Sequence, residues 1–254
     1  VLYVVPTLGQ RADYLAQTLD SLESQEHPSV TVVLVAPSAA EHVRAEAATR
    51  HHQFVAQSST GMSAAINEGW RAYGDDHEFW AWIGDDDTLT PGSTQRAVER
   101  LTAEPGASMV YGQCQYVDQD GGNLFVVRPT ALASRLMRWG PNLVPQPGSM
   151  ARAAAVRQVG LLDESLRYAM DLDLFLRLQD AGPVRYLPEA LATFRWHPAS
   201  TTVASSAASE AEARAVRART WTGRRSLGRA GEPLAMLAGR VLHKVQRVPQ
   251  SSLR

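Results

Sequence analysis

The chain has 254 residues, enough for one large domain with a sizeable core or one domain plus an appendage, and short for two full domains. Hydrophobic residues make up 44% and charged residues 20%, and a net charge of -1 excludes a general affinity for nucleic acid or anionic lipid. One cysteine, Cys114, excludes an intramolecular disulfide and a cysteine-built zinc site.

In chain order, Val1 to Pro6 ("VLYVVP") is a short apolar run stopped by proline, the pattern of a strand buried on both faces. Leu15, Leu19 and Leu22 then recur at helical spacing. A second buried strand, Val30 to Pro37, and an Ala-rich helix from Ser38 to Arg50 complete a βαβ unit of a parallel sheet. Ser63 is positioned to cap a third helix running through Asn67 to Tyr73, and Glu78 to Ile83 ("EFWAWI") is the next strand. Pro91 opens another helix, with Ala97, Val98 and Leu101 on one side. "SMVYGQCQYV" is a strand that buries Cys114 as an inert thiol, Asp120-Gly121-Gly122 a hairpin turn and "NLFVV" its return, so the sheet turns antiparallel.

A strand near Gly148 to Ala151, a helix from Ala153 to Gly160 and a loop through Leu161 to Glu164 follow. Leucine at 172, 174, 176 and 178 alternates as in a strand. Leu174, Phe175, Leu178 and Ala181 also make a helical face, with Asp171 as N-cap and Gly182-Pro183 as the stop, and we take the helix. The expected fold class is α/β, a Rossmann-type mixed sheet flanked by helices, with a helical basic C-terminal extension.

Residues 1–202 form the expected main domain, and residues 203–254 a Ser/Ala linker followed by helices. From residue 205 onward, ten Arg or Lys face three Glu, a net +7, so the first 204 residues carry -8. The tail reads either as helices packed on the complementary body or as a peripheral membrane contact, with Leu234, Leu237 and Val241 dipping into the interface. No segment has the roughly 18 apolar residues a membrane span needs, and there is no signal-peptide layout. A cytoplasmic location, at most peripheral at the inner membrane face, is the expectation. Val1 already lies inside a strand pattern, so an initiating segment is expected to precede it.

The chemistry concentrates in Trp82 to Leu89, "WIGDDDTL". Adjacent carboxylates repel, burial raises the cost of ionising them, and no Lys or Arg lies close by in sequence. A divalent cation would neutralise them, and hard oxygen ligands favour Mn²⁺ or Mg²⁺. The run falls at the C-terminal end of a strand, where open α/β sheets bind ligands, although such a run alone also reads as a solvated turn.

Val5-Pro6-Thr7, the segment Gly61 to Gly69, "WIGDDDTLTPGS", and "VGLLDESLRYAMDLDLFLRLQDAG" through "YLPEALATFRWHPAST" occur in an order that resembles a family-2 glycosyltransferase of GT-A fold, over about residues 1 to 202. The resemblance implies that Asp85, Asp86 and Asp87 form the metal and nucleotide-diphosphate site, with Asp86 and Asp87 on the cation. In many relatives the motif reads D-x-D-D, and Gly84 stands where its first aspartate would be. It further implies that Pro6 and Thr7 contact the nucleotide, that Arg195 reaches a phosphate, and that His197 turns toward the metal or diphosphate. A packed or surface histidine and a surface salt bridge are the plainer readings of those last two.

The resemblance also aligns Met170-Asp171 with a Glu-Asp pair that opens a helix in relatives, making Asp171 the candidate general base, with methionine in place of the glutamate. The aspartate that reads the base in many relatives is absent after the second strand, where Val35-Ala36-Pro37-Ser38 stands. Residues 128 to 147, with Trp139 and several prolines, are expected on the acceptor side.

The implied function is inverting, metal-dependent transfer of a sugar, of hexosyltransferase class, from a nucleotide diphosphate sugar to a hydroxyl of a glycan or glycolipid, as in polysaccharide or glycolipid biosynthesis. Two rivals stay open. One is a catalytically inactive binding module on the same scaffold. The other is a sugar nucleotidyltransferase, for which "PTLGQRADY" is a poor Gly-rich loop.

Overall fold

The structure is a computed structural model that describes residues 1–196, 206–220, 236 and 247–249. Its strands are β1 (Leu2–Pro6), β2 (Thr31–Pro37), β3 (Gln53–Gln57), β4 (Phe79–Trp82), β5 (Thr88–Leu89), β6 (Met109–Val117), β7 (Asn123–Val127), β8 (Met150–Arg152), β9 (Val184–Arg195) and β10 (Arg247–Pro249). The helices are α1 (Ala12–Glu23), α2 (Glu41–Thr49), α3 (Met62–Tyr73), α4 (Ser93–Ala103), α5 (Ala133–Leu136), α6 (Ala153–Val159), α7 (Met170–Ala181) and α8 (Ser206–Thr220).

These strands form one mixed sheet in the order β10-β7-β6-β8-β4-β1-β2-β3, with β9 pairing both β5 and β6. The β3-β2-β1-β4 half is parallel and the β4-β8-β6-β7 half antiparallel, as expected of an α/β sheet flanked by helices. Alternation along β1 sorts its side chains. Leu2 and Val4 enter a core with Trp80, Trp82 and the α7 leucines, while Tyr3 and Val5 face Leu15, Leu19 and Leu101 on the other side. Gly69 lets α3 approach β1 closely, because a Cβ there would lie 2.7 Å from Val4 Cγ1.

An aromatic ladder joins the sheet to α7. Trp70 and Trp80 meet edge-on at 4.9 Å, Trp80 and Trp82 lie 5.2 Å apart, and Trp82 lies 6.2 Å from Phe175. Pairs of this kind contribute about 0.5–1.5 kcal/mol each beyond area burial. The ladder therefore fixes α7 against the strand that precedes the carboxylates.

Several local expectations change. β3 was not anticipated, because "QFVAQ" is a partly exposed edge strand with no continuous apolar run. Gly61, at φ 100°, rather than Ser63 is the N-cap of α3, and Ser63 is buried inside the helix. α4 begins at Ser93, after Gly92 in the left-handed region, instead of at Pro91. The N-cap of α7 is Ala169, so Asp171 lies within the first turn. At the far end Arg247–Pro249 pairs antiparallel with β7, whereas helices are expected after the Ser/Ala linker. The apolar tail face at Leu234, Leu237 and Val241 lies outside the described residues. Among the described residues no helix is long and apolar enough to cross a membrane.

Candidate active site

β1 and β4 are parallel neighbours, with Val4 opposite Trp82 and the Ile83 N–H donating to Val4 O at 3.1 Å. Their carboxyl ends therefore open side by side at the point where the chain order reverses, with β2 on one flank of β1 and β4 on the other. Pro6, buried at the end of β1, delivers Thr7, and Thr7 Oγ1 donates to Asp85 Oδ2 at 2.5 Å. The Gly9 N–H in turn donates to Thr7 Oγ1 at 2.9 Å, which fixes the loop.

The carboxylates are not splayed into water: Asp85 is 5% exposed and Asp87 4%. Burial is the main cause that raises Asp85 above the ordinary carboxylate range, opposed by Thr7 and Arg11. Burial, and then the charge of Asp86, push Asp87 well above that range, against the Arg195 backbone N–H that donates to its Oδ1 at 3.0 Å.

Arg11 supplies the positive charge that the sequence reading found missing nearby. From the loop after β1, its Nη2 lies 2.7 Å from Asp85 Oδ1 and its Nη1 2.6 Å from Asp86 Oδ2. Partners 74 and 75 residues apart in sequence are brought together only by the β1–β4 pairing.

Could this site also hold a cation? A Cβ placed on Gly84 would lie 2.9 Å from Asp86 Oδ1 and 3.3 Å from Asp87 Oδ2, so these two oxygens share the space that a side chain at residue 84 would fill. Among the described residues no group of three His, Cys, Asp or Glu side chains is gathered as a metal cluster. The donor set is thus a pair of carboxylates, which fits Mg²⁺ or Mn²⁺ completed by substrate phosphates rather than a closed protein cage. His197, the third expected ligand, lies outside the described residues.

Arg195 is held at the acidic turn by several protein partners. Its guanidinium donates to Gln17 Oε1 at 2.7 Å, to Gln119 O at 3.1 Å and to Asp86 O at 3.2 Å, and sits 4.4 Å above the Tyr14 ring. It is 6% exposed and fastens the acidic turn to α1 and to the β6–β7 hairpin.

Asp171 approaches from the α7 side. Its Oδ2 accepts from Asn142 Nδ2 at 2.9 Å, and its Oδ1 accepts from the Leu172 N–H at 2.7 Å. Burial pushes its carboxyl up to about 6 despite those donors. Gln146, four residues after Asn142, donates to Trp82 O at 2.8 Å. Four residues of chain span at most about 14 Å, so this segment ties Asp171 to the end of β4 that carries the acidic turn. Met170, where relatives have glutamate, accepts from Ser63 Oγ at 2.9 Å and packs on α3.

Of the sequence-predicted residues, Pro6, Thr7, Asp85, Asp86, Asp87 and Arg195 converge at the ends of β1, β4 and β9, and Asp171 sits across the Asn142 to Gln146 segment. Sequence reasoning missed Arg11, Asn142 and Gln146. Arg11 lies inside the "PTLGQRADY" loop, and a cation in the loop that faces a buried acidic turn was its one available signal.

The sequence profile of the family described as "Glycosyl transferase family 2" matches residues 3–158. Uncharacterized glycosyltransferases of Rickettsia typhi and Rickettsia prowazekii are 24% and 22% identical over 201 residues, covering 75% of this chain. The chain spans 62% of the length of each of these relatives. Among solved structures, Staphylococcus aureus TarS 1-349 in complex with UDP-GlcNAc superposes with a TM-score of 0.68 at 15% identity, covering 95% of this chain and 72% of that one. The complex of TarS 1-349 with UDP gives 0.65 at 16% identity, covering 94% and 70%. Identities this low show a shared fold.

Proposed function

The chain belongs to glycosyl transferase family 2, and on that premise we propose that it transfers a sugar from a nucleotide diphosphate sugar to a hydroxyl of a glycan or glycolipid acceptor, with inversion and with a divalent cation. The observation that carries this reading is the acidic turn Asp85-Asp86-Asp87 at the ends of β1 and β4, with Asp85 and Asp87 buried and Asp86 half-buried, tied through Asn142 and Gln146 to the carboxyl of Asp171. The donor class is supported by TarS, which was crystallised with UDP-GlcNAc and with UDP.

In this reading Asp86 and Asp87 hold the cation and Thr7 orients the Asp85 side of the nucleotide pocket. When bound, Mn²⁺ or Mg²⁺ supplies charge stabilisation for the departing diphosphate. Asp171 accepts the proton of the acceptor hydroxyl as its oxygen bonds to the anomeric carbon and the bond from that carbon to the diphosphate breaks. A carboxyl titrating at about 6 is ionised at neutral pH yet basic enough to take that proton.

Arg11 belongs in the account because its guanidinium already meets Asp86. A cation held by Asp86 would compete with the guanidinium for that carboxylate, while Asp85 would still hold Arg11 through its Nη2. The test is turnover and binding across a panel of nucleotide sugars, with Mn²⁺ or with EDTA, for the parent and for Asp87→Ala. Cation-dependent binding that Asp87→Ala loses supports the proposal. Equal binding with and without Mn²⁺ removes the metal from it, and no turnover of any donor by a chain that binds them favours the inactive binding module.

A further inference from the structure

Three consecutive backbone N–H groups just before α7 converge on one side chain from the C-terminal extension. Glu212 Oε1 accepts from Arg167 at 2.8 Å, and Oε2 accepts from both Tyr168 and Ala169, the latter at 2.8 Å. Ala169 is the N-cap of α7 and offers no side chain to cap it, so these N–H groups precede the helix without an intrahelical partner. A carboxylate suits them because the groups are donors only and the helix N-terminus is its positive end.

Glu212 is itself held in place. Its helix α8 buries Val216 completely and packs Ala213 against the α7 core. One turn of chain beyond Val216, Arg219 Nη1 lies 2.7 Å from Asp163 Oδ2 and 3.8 Å from Asp173 Oδ1. α8 therefore grips the segment from Asp163 to Ala169 at both ends, two residues before Asp171. On the far side, Asn142 fixes the Asp171 carboxylate directly.

We infer that Glu212 is a positioning residue for Asp171: by binding the backbone N–H groups of Arg167, Tyr168 and Ala169, it sets the first turn of α7 and aims the Asp171 carboxylate into the site. The catalytic part of this statement rests on Asp171 being the base. The consequence is that the extension after residue 202 completes the site instead of merely following it.

The experiment uses the full chain and needs no donor. Amide hydrogen exchange at Arg167, Tyr168 and Ala169, and the ¹³C carboxyl titration of Asp171, assigned with Asp171→Asn, are measured for the parent, Glu212→Ala and Glu212→Gln. In Glu212→Ala we expect exchange at the three amides to rise at least tenfold and the Asp171 midpoint to move toward the ordinary carboxylate value as water enters, by half a unit or more. Glu212→Gln keeps one acceptor oxygen in place and restores part of both signals. It also carries the test should Glu212→Ala fail to fold.

A purely structural role lowers the melting temperature while leaving the Asp171 titration at its parent midpoint, and that result overturns the inference. Failure of the functional reading looks different. Unchanged turnover in Asp171→Asn removes Asp171 as base while the effect of Glu212 on the Asp171 titration persists.

Discussion

Asn142 donates from Nδ2 to Oδ2 of Asp171 at 2.9 Å, linking the irregular segment after α5 to the first turn of α7. The bond favours the ionised carboxylate, opposing the burial that raises it. Replacing Asn142 with Ala removes that support. A hydrogen bond to a charged group is worth about 1.5–3 kcal/mol, or about 1–2 pKa units before water fills the gap. The acidic limb of kcat/KM should move upward by about one pH unit. A pH–rate profile checks this, and an unmoved limb separates Asn142 from the titrating group.

The same carboxyl makes a prediction about stability. Its unfolded value is 3.8 and its folded value about 6, so between these pH values the folded chain binds more protons than the unfolded one, and stability falls as pH rises. The loss is complete above about pH 6 and absent below the unfolded value. Asp171→Asn removes it with its amide oxygen still accepting from Leu172, and the contact of its NH₂ with the Asn142 NH₂ offsets part of the gain. The variant should melt about 2–8 °C above the parent at pH 8, for about 1–3 kcal/mol, and the two should converge near pH 4. Calorimetric scans at the two pH values decide the matter.

Arg11→Ala takes the guanidinium away from Asp85 and Asp86. Arg11 is partly exposed, so the Coulomb loss is screened, and a drop of about 1 kcal/mol in EDTA is expected. If guanidinium and cation compete for Asp86, the variant binds Mn²⁺ more tightly than the parent when no nucleotide is present. Titration by calorimetry reads this directly. Weaker Mn²⁺ binding by the variant would show that the two act together instead.

Gly84→Ala places a methyl group 2.9 Å from Asp86 Oδ1 and 3.3 Å from Asp87 Oδ2. One of the carboxylates must turn away, so cation-dependent nucleotide affinity should fall at least about tenfold, or 1.4 kcal/mol. Circular dichroism should remain that of the parent. Retained affinity would place the cation elsewhere.

How much of this was visible in the sequence depended on the range of each interaction. β1, β2 and β4 are continuous apolar runs and their periods are local, so they could be read directly. The helix at Asp171 is legible from the Leu174, Phe175, Leu178 and Ala181 face and the Gly182-Pro183 stop, against a leucine alternation that alone points to a strand. β3 could not be seen, because an edge strand bounded by glutamine carries little apolar signal. The acidic turn was recognisable by its position after β4. Arg11 was not, because its pairing with Asp85 exists only once β1 and β4 lie side by side. Asn142 and Glu212 escaped for a related reason: each is a single polar residue in a segment without period, and its partner is set by the packing of α7.

The most direct test of the whole account compares the parent with Asp171→Asn in one assay, following both donor binding and sugar transfer in the presence of Mn²⁺ for a nucleotide sugar that the parent turns over. The account predicts that the variant binds the donor as the parent does while transfer falls by at least about a thousandfold, near the upper part of the range for loss of a general base. Transfer at the parent rate would contradict it.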